Sequence, residues 1–212
     1  MGLPELLAKL GLDVVPEAIV RLERLADELL RWSRRRNLTA ITGRDEVLEK
    51  HLVDSLTLLP FINRSGRLLD IGSGAGFPAL PLKIACPDLE VVSVEAVGKK
   101  VDFQRHIARL FDLDGFSVRH ERIESLSDHA DYCQGFDTVT ARALCSLEEL
   151  LAMAGPFLAP GARLLAMKGP EGDKEVAVLD EQLKGTGWSV TVHRLRLPVS
   201  GAARCLIEIG CS

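Results

Sequence analysis

The sequence predicts an α/β protein: a mostly parallel seven-stranded sheet that ends in an antiparallel C-terminal hairpin and follows an N-terminal helical extension. Three observations predict it. From Arg67 onward, short apolar, β-prone runs alternate with helical periodicities, the pattern of βαβ units and a parallel sheet. The first strand-like run, Leu68-Leu69-Asp70-Ile71, passes into glycines at 72, 74 and 76, then Phe77-Pro78 and a helical segment. Such strand–turn–helix junctions are where open α/β sheets bind nucleotide-like ligands. Finally, two long strand-like runs joined by a short turn close the chain, and a short turn makes an antiparallel pair rather than a crossover.

Taken in order, residues 1–63 form the helical extension and residues 64–212 the compact α/β unit. Pro16 opens a helix with Ile19, Leu22, Ala26 and Leu29 at helical spacing, ending in Arg31, Arg34, Arg35 and Arg36. Cations at a helix C-terminus complement its dipole; the same cluster can also contact phosphates. Asn37-Leu38-Thr39-Ala40-Ile41-Thr42 breaks the pattern. A second helix over about Asp45 to Leu59 places Leu48, Leu52, Ser55, Leu56 and Leu59 on one face, with His51 and Asp54 three apart. Strands follow at Arg67–Ile71, Glu90–Val94, Phe116–Arg119, Phe136–Thr140 and Ala162–Met167. Helices lie between them at about Phe77–Ala85, Lys99–Leu113 and Ser146–Phe157, and after them at Asp173–Lys184. The closing pair is Trp188–Leu197 and Arg204–Ile209.

Composition narrows the function classes. With 212 residues, 47% hydrophobic and 26% charged, the chain can bury a core without staples. No apolar run reaches the ~18 residues of a membrane span. Met1-Gly2-Leu3-Pro4-Glu5 lacks the basic and apolar regions of a signal peptide, so the cytoplasm is the expected location. Five scattered cysteines, with no C-x-x-C spacing, argue against a disulfide framework and against a metal site. The net charge of −4 means that any nucleic-acid contact is a local patch.

The glycine loop is the most informative stretch. Its G-x-G-x-G spacing is not the G-x-G-x-x-G of a dinucleotide fold, and no Gly-Lys-Ser/Thr follows. Asp70 before the first glycine disfavours a pyrophosphate and favours a ligand with a sulfonium and an ammonium. The pattern resembles motif I of Rossmann-like S-adenosylmethionine-dependent methyltransferases, with Gly72 and Gly74 at the cofactor. Glu95 follows Asp70 by 25 positions at the tip of the second strand, where such folds bind ribose hydroxyls. Ile123-Glu124 follows the third strand, where an apolar group and a polar group can meet adenine. Phe77 either walls that pocket or packs inward. Arg142 at the end of strand four and Lys168 at the end of strand five lie on the same rim, and either can meet a phosphate or a carboxylate. Cys145 reads as a small buried hydrophobe rather than a nucleophile. No Asn/Asp-Pro-Pro-Tyr/Phe motif for exocyclic amines follows strand four.

One ordered set of motifs is more specific than any of these alone: Asn37-Leu38-Thr39, His51-Leu52-Val53-Asp54-Ser55, Asp70 to Pro78, Gly98-Lys99-Lys100, Arg142-Ala143, Lys168-Gly169 and a final strand led by Arg204. The set resembles the bacterial ribosomal RNA small-subunit methyltransferase G family, also called glucose-inhibited division protein B, over nearly the whole chain. The resemblance implies a class I methyltransferase fold with strand order 3-2-1-4-5-7-6. It also implies methyl transfer from S-adenosylmethionine to N7 of one guanosine in 16S rRNA. By position, Gly72, Phe77, Ile123, Glu124 and Arg142 match the family's cofactor residues; Asn37, His51, Arg142 and Lys168 are candidates to meet the substrate. Two departures stand out: Ala79-Leu80 follows Pro78 where a glycine is frequent, and the tail Gly210-Cys211-Ser212 lacks the usual basic residues. Guanine N7 carries a lone pair and no proton, so no general base is expected. The implied partner is 16S rRNA or the small ribosomal subunit, met by a monomer, with no membrane and no metal. Two alternatives remain open at this stage: a methyltransferase of the same fold acting on a small molecule or protein, and a non-catalytic nucleoside- or RNA-binding module.

Overall fold

In the computed structural model, which describes residues 1–211, the chain forms one seven-stranded sheet with helices on both faces. The strands are β1 (Arg67–Ile71), β2 (Glu90–Val94), β3 (Phe116–Arg119), β4 (Phe136–Arg142), β5 (Leu158–Lys168), β6 (Trp188–Arg196) and β7 (Ala203–Cys211). Their spatial order is β3-β2-β1-β4-β5-β7-β6. β1 to β5 pair in parallel, whereas β7 lies antiparallel between β5 and β6. This is the Rossmann-like methyltransferase sheet expected from the sequence. Its order reverses between β1 and β4, and the crevice at such a switch point is where α/β sheets bind ligands. Ser212 of the tail lies outside the described residues.

The helices are α1 (Leu3–Lys9), α2 (Pro16–Arg36), α3 (Arg44–Val47), α4 (Asp54–Leu56), α5 (Ala79–Ala85), α6 (Gly98–Leu110), α7 (Ile123–Leu126), α8 (Leu147–Ala154) and α9 (Gly172–Leu183). Alternation along the strands sends side chains to opposite faces. Leu68 and Val91 join a core with α1 to α6, whereas Leu69, Ile71, Val92 and Val94 join a core with α7, α8 and α9. The N-terminal helices therefore cover one sheet face together with α5 and α6.

Three local differences from the sequence reading have physical causes. The expected helix over 45–59 is α3, a π-helical segment (Leu48–Val53) and α4 in succession; its first turn, Arg44 to Glu46, is exposed, and from Val47 on every residue but the half-buried Lys50 is buried rather than one stripe. It threads between α1, α2 and the β6–β7 turn, where Glu49 accepts the N–H groups of Val199 and Ser200 at 2.6 and 2.8 Å. The helix after β1 starts at Ala79 rather than Phe77, because the N–H groups of Gly76 and Phe77 both turn back to the Ser73 carbonyl. β4 runs past the expected end at Thr140 to Arg142, because Ala141 and Arg142 still pair with Ala166 and Met167 of β5. Among the described residues no helix is long and apolar enough to cross a membrane.

Candidate active site

A cleft of ≈ 620 Å³ opens at the C-terminal ends of β1, β2 and β4. Gly72, Gly74, Phe77, Glu95, Ile123, Glu124 and Arg142 all line it, together with Lys100, Leu144, Cys145 and Met153 among others. Residues from five separate chain segments thus meet in one concavity, as the parallel topology requires of loops that leave the same sheet edge.

The glycine loop is built tightly. Gly72 has φ +66°, and a Cβ there would lie 2.7 Å from Leu144 Cδ1. Gly76 has φ +88°, and a Cβ would meet Leu80 Cδ1 at 2.5 Å. Gly74, with φ +61°, has no atom within 4 Å of the corresponding point; the open space is the cleft itself. Beneath the loop lies a closed ring of buried polar groups. The Ser73 and Ser93 hydroxyls are 2.6 Å apart, Ser93 Oγ donates to Gln104 Oε1 at 2.6 Å, and Gln104 Nε2 donates to Ser73 Oγ at 2.8 Å. Ser93 has a single proton, so Ser73 must be the donor between the two hydroxyls. Gln104 Nε2 also donates to the Gly74 carbonyl at 2.8 Å. The backbone next to the cleft is therefore held from below.

Two carboxylates finish the loop. Asp70 is fully buried; its Oδ2 accepts the Ala79 N–H at 3.2 Å, and Oδ1 has no hydrogen-bond partner among the described residues. Burial pushes this carboxyl up to about 7, against the pull of the Ala79 N–H and Arg142. The sequence reading set Asp70 facing a cationic ligand; it lies instead under the loop and braces the start of α5. Glu95 accepts the Gly74 N–H through Oε2 and the Val97 N–H through Oε1, both at 2.8 Å. Its carboxylate is thereby fixed on the cleft wall.

Arg142 joins the cleft to the N-terminal helices. Its guanidinium donates to the Lys50 carbonyl at 3.3 Å, lies 3.7 Å from Asp54 and is 3.2 Å from His51 Nδ1. Asp54 also accepts from Arg204 Nε at 2.9 Å, so its carboxylate sits between two guanidiniums. The His51 ring stacks on Phe77 at 4.8 Å, and its Nε2 is 2.9 Å from Thr39 Oγ1. Burial, aided by Arg142, lowers the His51 pKa to about 3, so the imidazole is neutral. His51 does not line the cleft; it stands behind Arg142 and Phe77, which do.

The remaining candidates fall elsewhere. Asn37 is the left-handed C-cap of α2, and its carbonyl accepts from Lys99 Nζ at 3.0 Å. Lys168 is tied to Glu175 at 3.0 Å and to the Cys145 carbonyl, which places it behind the β4–α8 loop and not in the cleft. Cys145 differs from its sequence reading: it is half-buried at the cleft wall, with its thiol pushed up by burial. Leu144, 42% exposed, leans over Gly72 at the mouth, after Ala143 in a left-handed conformation (φ 49°). Sequence reasoning missed Gln104, Ser93 and Glu49. Gln104 carried a readable signal, since it interrupts the apolar stripe of Val101 and Ile107 at helical spacing.

Over nearly its whole length the chain is similar to known proteins. The family model described as rRNA small subunit methyltransferase G matches residues 18–196. A ribosomal RNA small subunit methyltransferase G from Syntrophotalea carbinolica is 48% identical over 98% of this chain and 95% of its own length. One from Geobacter sp. strain M21 is 46% identical over 96% and 93%. Among solved structures, M. jannaschii TYW2 in complex with AdoMet superposes with a TM-score of 0.58 at 11% identity, covering 76% of each chain, a likeness of fold.

Proposed function

The chain belongs to the rRNA small subunit methyltransferase G family and is a methyltransferase of N7 of a guanosine in 16S rRNA; on that premise we propose that the cleft at β1, β2 and β4 holds S-adenosylmethionine. The observation that carries the proposal is the convergence of Gly72, Gly74, Phe77, Glu95, Ile123, Glu124 and Arg142 on one cavity. The residues fit the group. The open space over Gly74 admits a ligand against the backbone. The fixed Glu95 carboxylate retains acceptor capacity for vicinal hydroxyls. Ile123 and Glu124 offer an apolar face and a polar edge to a base. The Arg142 guanidinium places a positive charge on the cleft wall, where the cofactor's carboxylate can meet it.

S-adenosylmethionine supplies an electrophilic methyl group. This chain's residues supply position. Glu95 holds the loop and a ribose, Phe77 and Leu144 wall the cleft against water, and Arg142 is set by His51 and Asp54 to meet an anion. Because guanine N7 has no proton to lose, alignment rather than proton transfer is what the protein must provide. Proximity and orientation can supply roughly 7–11 kcal/mol of the barrier. We place the reaction in the cytoplasm, with 16S rRNA or the small ribosomal subunit as partner and the protein acting as a monomer.

The test is transfer of labelled methyl from S-adenosylmethionine to small subunits from a strain that lacks the enzyme, followed by mass spectrometry of the 16S rRNA. The expected product is 7-methylguanosine at one position. Label appearing in small molecules or protein, with none in RNA, would replace the rRNA reading.

A further inference from the structure

A basic surface lies at the C-terminal end of α2. The last turns of α2 carry Arg31, Arg35 and Arg36, which with Trp32 line a groove of ≈ 400 Å³. Helical spacing builds it: Arg31 stands over Arg35 and Trp32 over Arg36 at i,i+4. Trp32 is anchored by α6, its ring edge-on to Phe103 at 5.6 Å and 5.0 Å from His106. The groove lies on α2, which Trp32 fixes against α6. Just past the last turn of α2, Lys99 holds the carbonyl of its C-cap Asn37, and the next residue, Lys100, lines the cleft. Lys99, beside the end of α2, and its neighbour Lys100, in the cleft lining, thus stand between the groove and the cleft in the chain of contacts.

Their charge is only lightly cancelled. Arg35 makes no ion pair among the described residues, and Arg36 lies 3.9 Å from Asp102 with both side chains 54% exposed. Arg31 meets Glu28 at 2.5 Å, but Glu28 is shared with His106. Exposed pairs of this kind contribute little and exchange readily for a stronger anion. In a chain of net charge −4, such a concentration of arginines is a local anion-binding surface.

We propose that this groove docks the phosphodiester backbone of the RNA flanking the target guanosine. The proposal rests on the rRNA reading above. Arginine forks match phosphate oxygens bidentately, and a part-exposed indole among them suits an unstacked base. Continuity with the cleft through Lys99 and Lys100 lets one strand engage both.

The experiment is filter binding of the full-length protein to small subunits and to deproteinised 16S rRNA across a salt series. The variants are Arg31→Ala/Arg35→Ala and Arg31→Lys/Arg35→Lys, with S-adenosylmethionine affinity measured in parallel by calorimetry. The alanine pair should bind RNA about tenfold more weakly near 0.1 M salt, and its log K against log salt slope should flatten by about 1.5. The lysine pair, which keeps the charge but not the fork, should recover the salt slope and only part of the affinity, and cofactor affinity should match wild type in every variant. Parallel salt slopes for wild type and the alanine pair, or a salt slope that lysine does not recover, would overturn the groove. A defect on small subunits but not on bare rRNA would overturn it in favour of a protein contact. Methyl transfer is scored separately: wild type that binds RNA through the groove but never methylates it would retire the rRNA reading and leave the groove standing.

Discussion

Nδ1 of His51 faces Nη2 of Arg142 at 3.2 Å, so a buried helix of the N-terminal extension supplies the acceptor that orients an arginine of the cleft. The imidazole can accept there only with its proton on Nε2, which then donates to Thr39 Oγ1 at 2.9 Å. Thr39 Oγ1 in turn accepts the Ile41 N–H at 3.2 Å. With its pKa lowered to about 3, His51 acts as a fixed acceptor at physiological pH and not as an acid or base.

His51→Ala should therefore loosen Arg142 and remove the ring stacked on Phe77. The donor left behind costs about 1–3 kcal/mol of stability. Calorimetry should show S-adenosylmethionine affinity reduced about tenfold, an energetic loss of ~1.4 kcal/mol. His51→Gln, which retains an acceptor oxygen, should recover part of the affinity. Wild-type affinity in the alanine variant would dissolve the link between the extension and the cleft.

Asp70 gives a pH-dependent prediction. Its folded pKa, about 7, lies above the unfolded value of 3.8, so the native state holds the proton more tightly. Its contribution to stability is thus fully present below pH ~4 and is lost as pH rises through ~7. The His51 shift runs the other way, since a lowered pKa removes stability as pH falls from 6.5 toward 3. Between about pH 4 and 6.5 the two proton uptakes offset each other. Asp70→Asn keeps an acceptor for the Ala79 N–H and removes only the Asp70 titration. The stability of wild type minus that of Asp70→Asn should fall by about 1.4 kcal/mol per pH unit between pH ~4 and ~7 and then level off. Urea unfolding at a series of pH values measures it; a constant difference would mean that Asp70 stays ionised throughout.

Gly74 and Gly76 should separate binding from folding. Alanine at either position must adopt a positive φ, which costs roughly 1–2 kcal/mol. At Gly74 the methyl enters open space in the cleft, so the fold survives while cofactor affinity drops more than about tenfold. At Gly76 the methyl strikes Leu80 Cδ1 at 2.5 Å and Gln104 Cγ at 3.1 Å, so the larger loss is in melting temperature. Equal melting temperatures for the two variants, or a Gly74→Ala variant that binds normally, would contradict the geometry.

The parts legible in the sequence were those written in local patterns. Alternating strand and helix signals located all seven strands, and the loop from Asp70 to Pro78 located the cleft. Long-range pairing of polar groups left little local trace. Nothing near Lys168 shows that Glu175 and the Cys145 carbonyl would take its ammonium, so a rim lysine read as a candidate for the substrate. The His51–Asp54 spacing was visible, but its partners Arg142 and Arg204 lie about 90 and 150 residues away and meet it only once the sheet has formed. Asn37 entered as a substrate candidate only through the family resemblance of Asn37-Leu38-Thr39; in the fold it is the left-handed cap of α2, a role asparagine can fill after a helix end.

Gln104 offers the most discriminating test of how the glycine loop is held. Its side chain donates to Ser73 Oγ and to the Gly74 carbonyl and accepts from Ser93, so three loop and strand groups depend on it. Gln104→Leu keeps much of the volume but leaves those groups buried without partners, at about 1–3 kcal/mol for each one not rescued by water. A net loss of about 3 kcal/mol corresponds to a fall in melting temperature of roughly 6–12 °C for a chain of this size. Removing the polar partners as well, in Ser73→Ala/Ser93→Ala/Gln104→Leu, should restore part of that loss, since an all-apolar replacement strands fewer groups. Cofactor affinity should not return, because the Gly74 carbonyl is still unheld and the adjacent N–H that meets Glu95 is free to turn. Differential scanning calorimetry and cofactor titration of both variants decide the point. If the triple variant regains affinity along with stability, the ring serves only the fold, and Glu95 alone sets the loop.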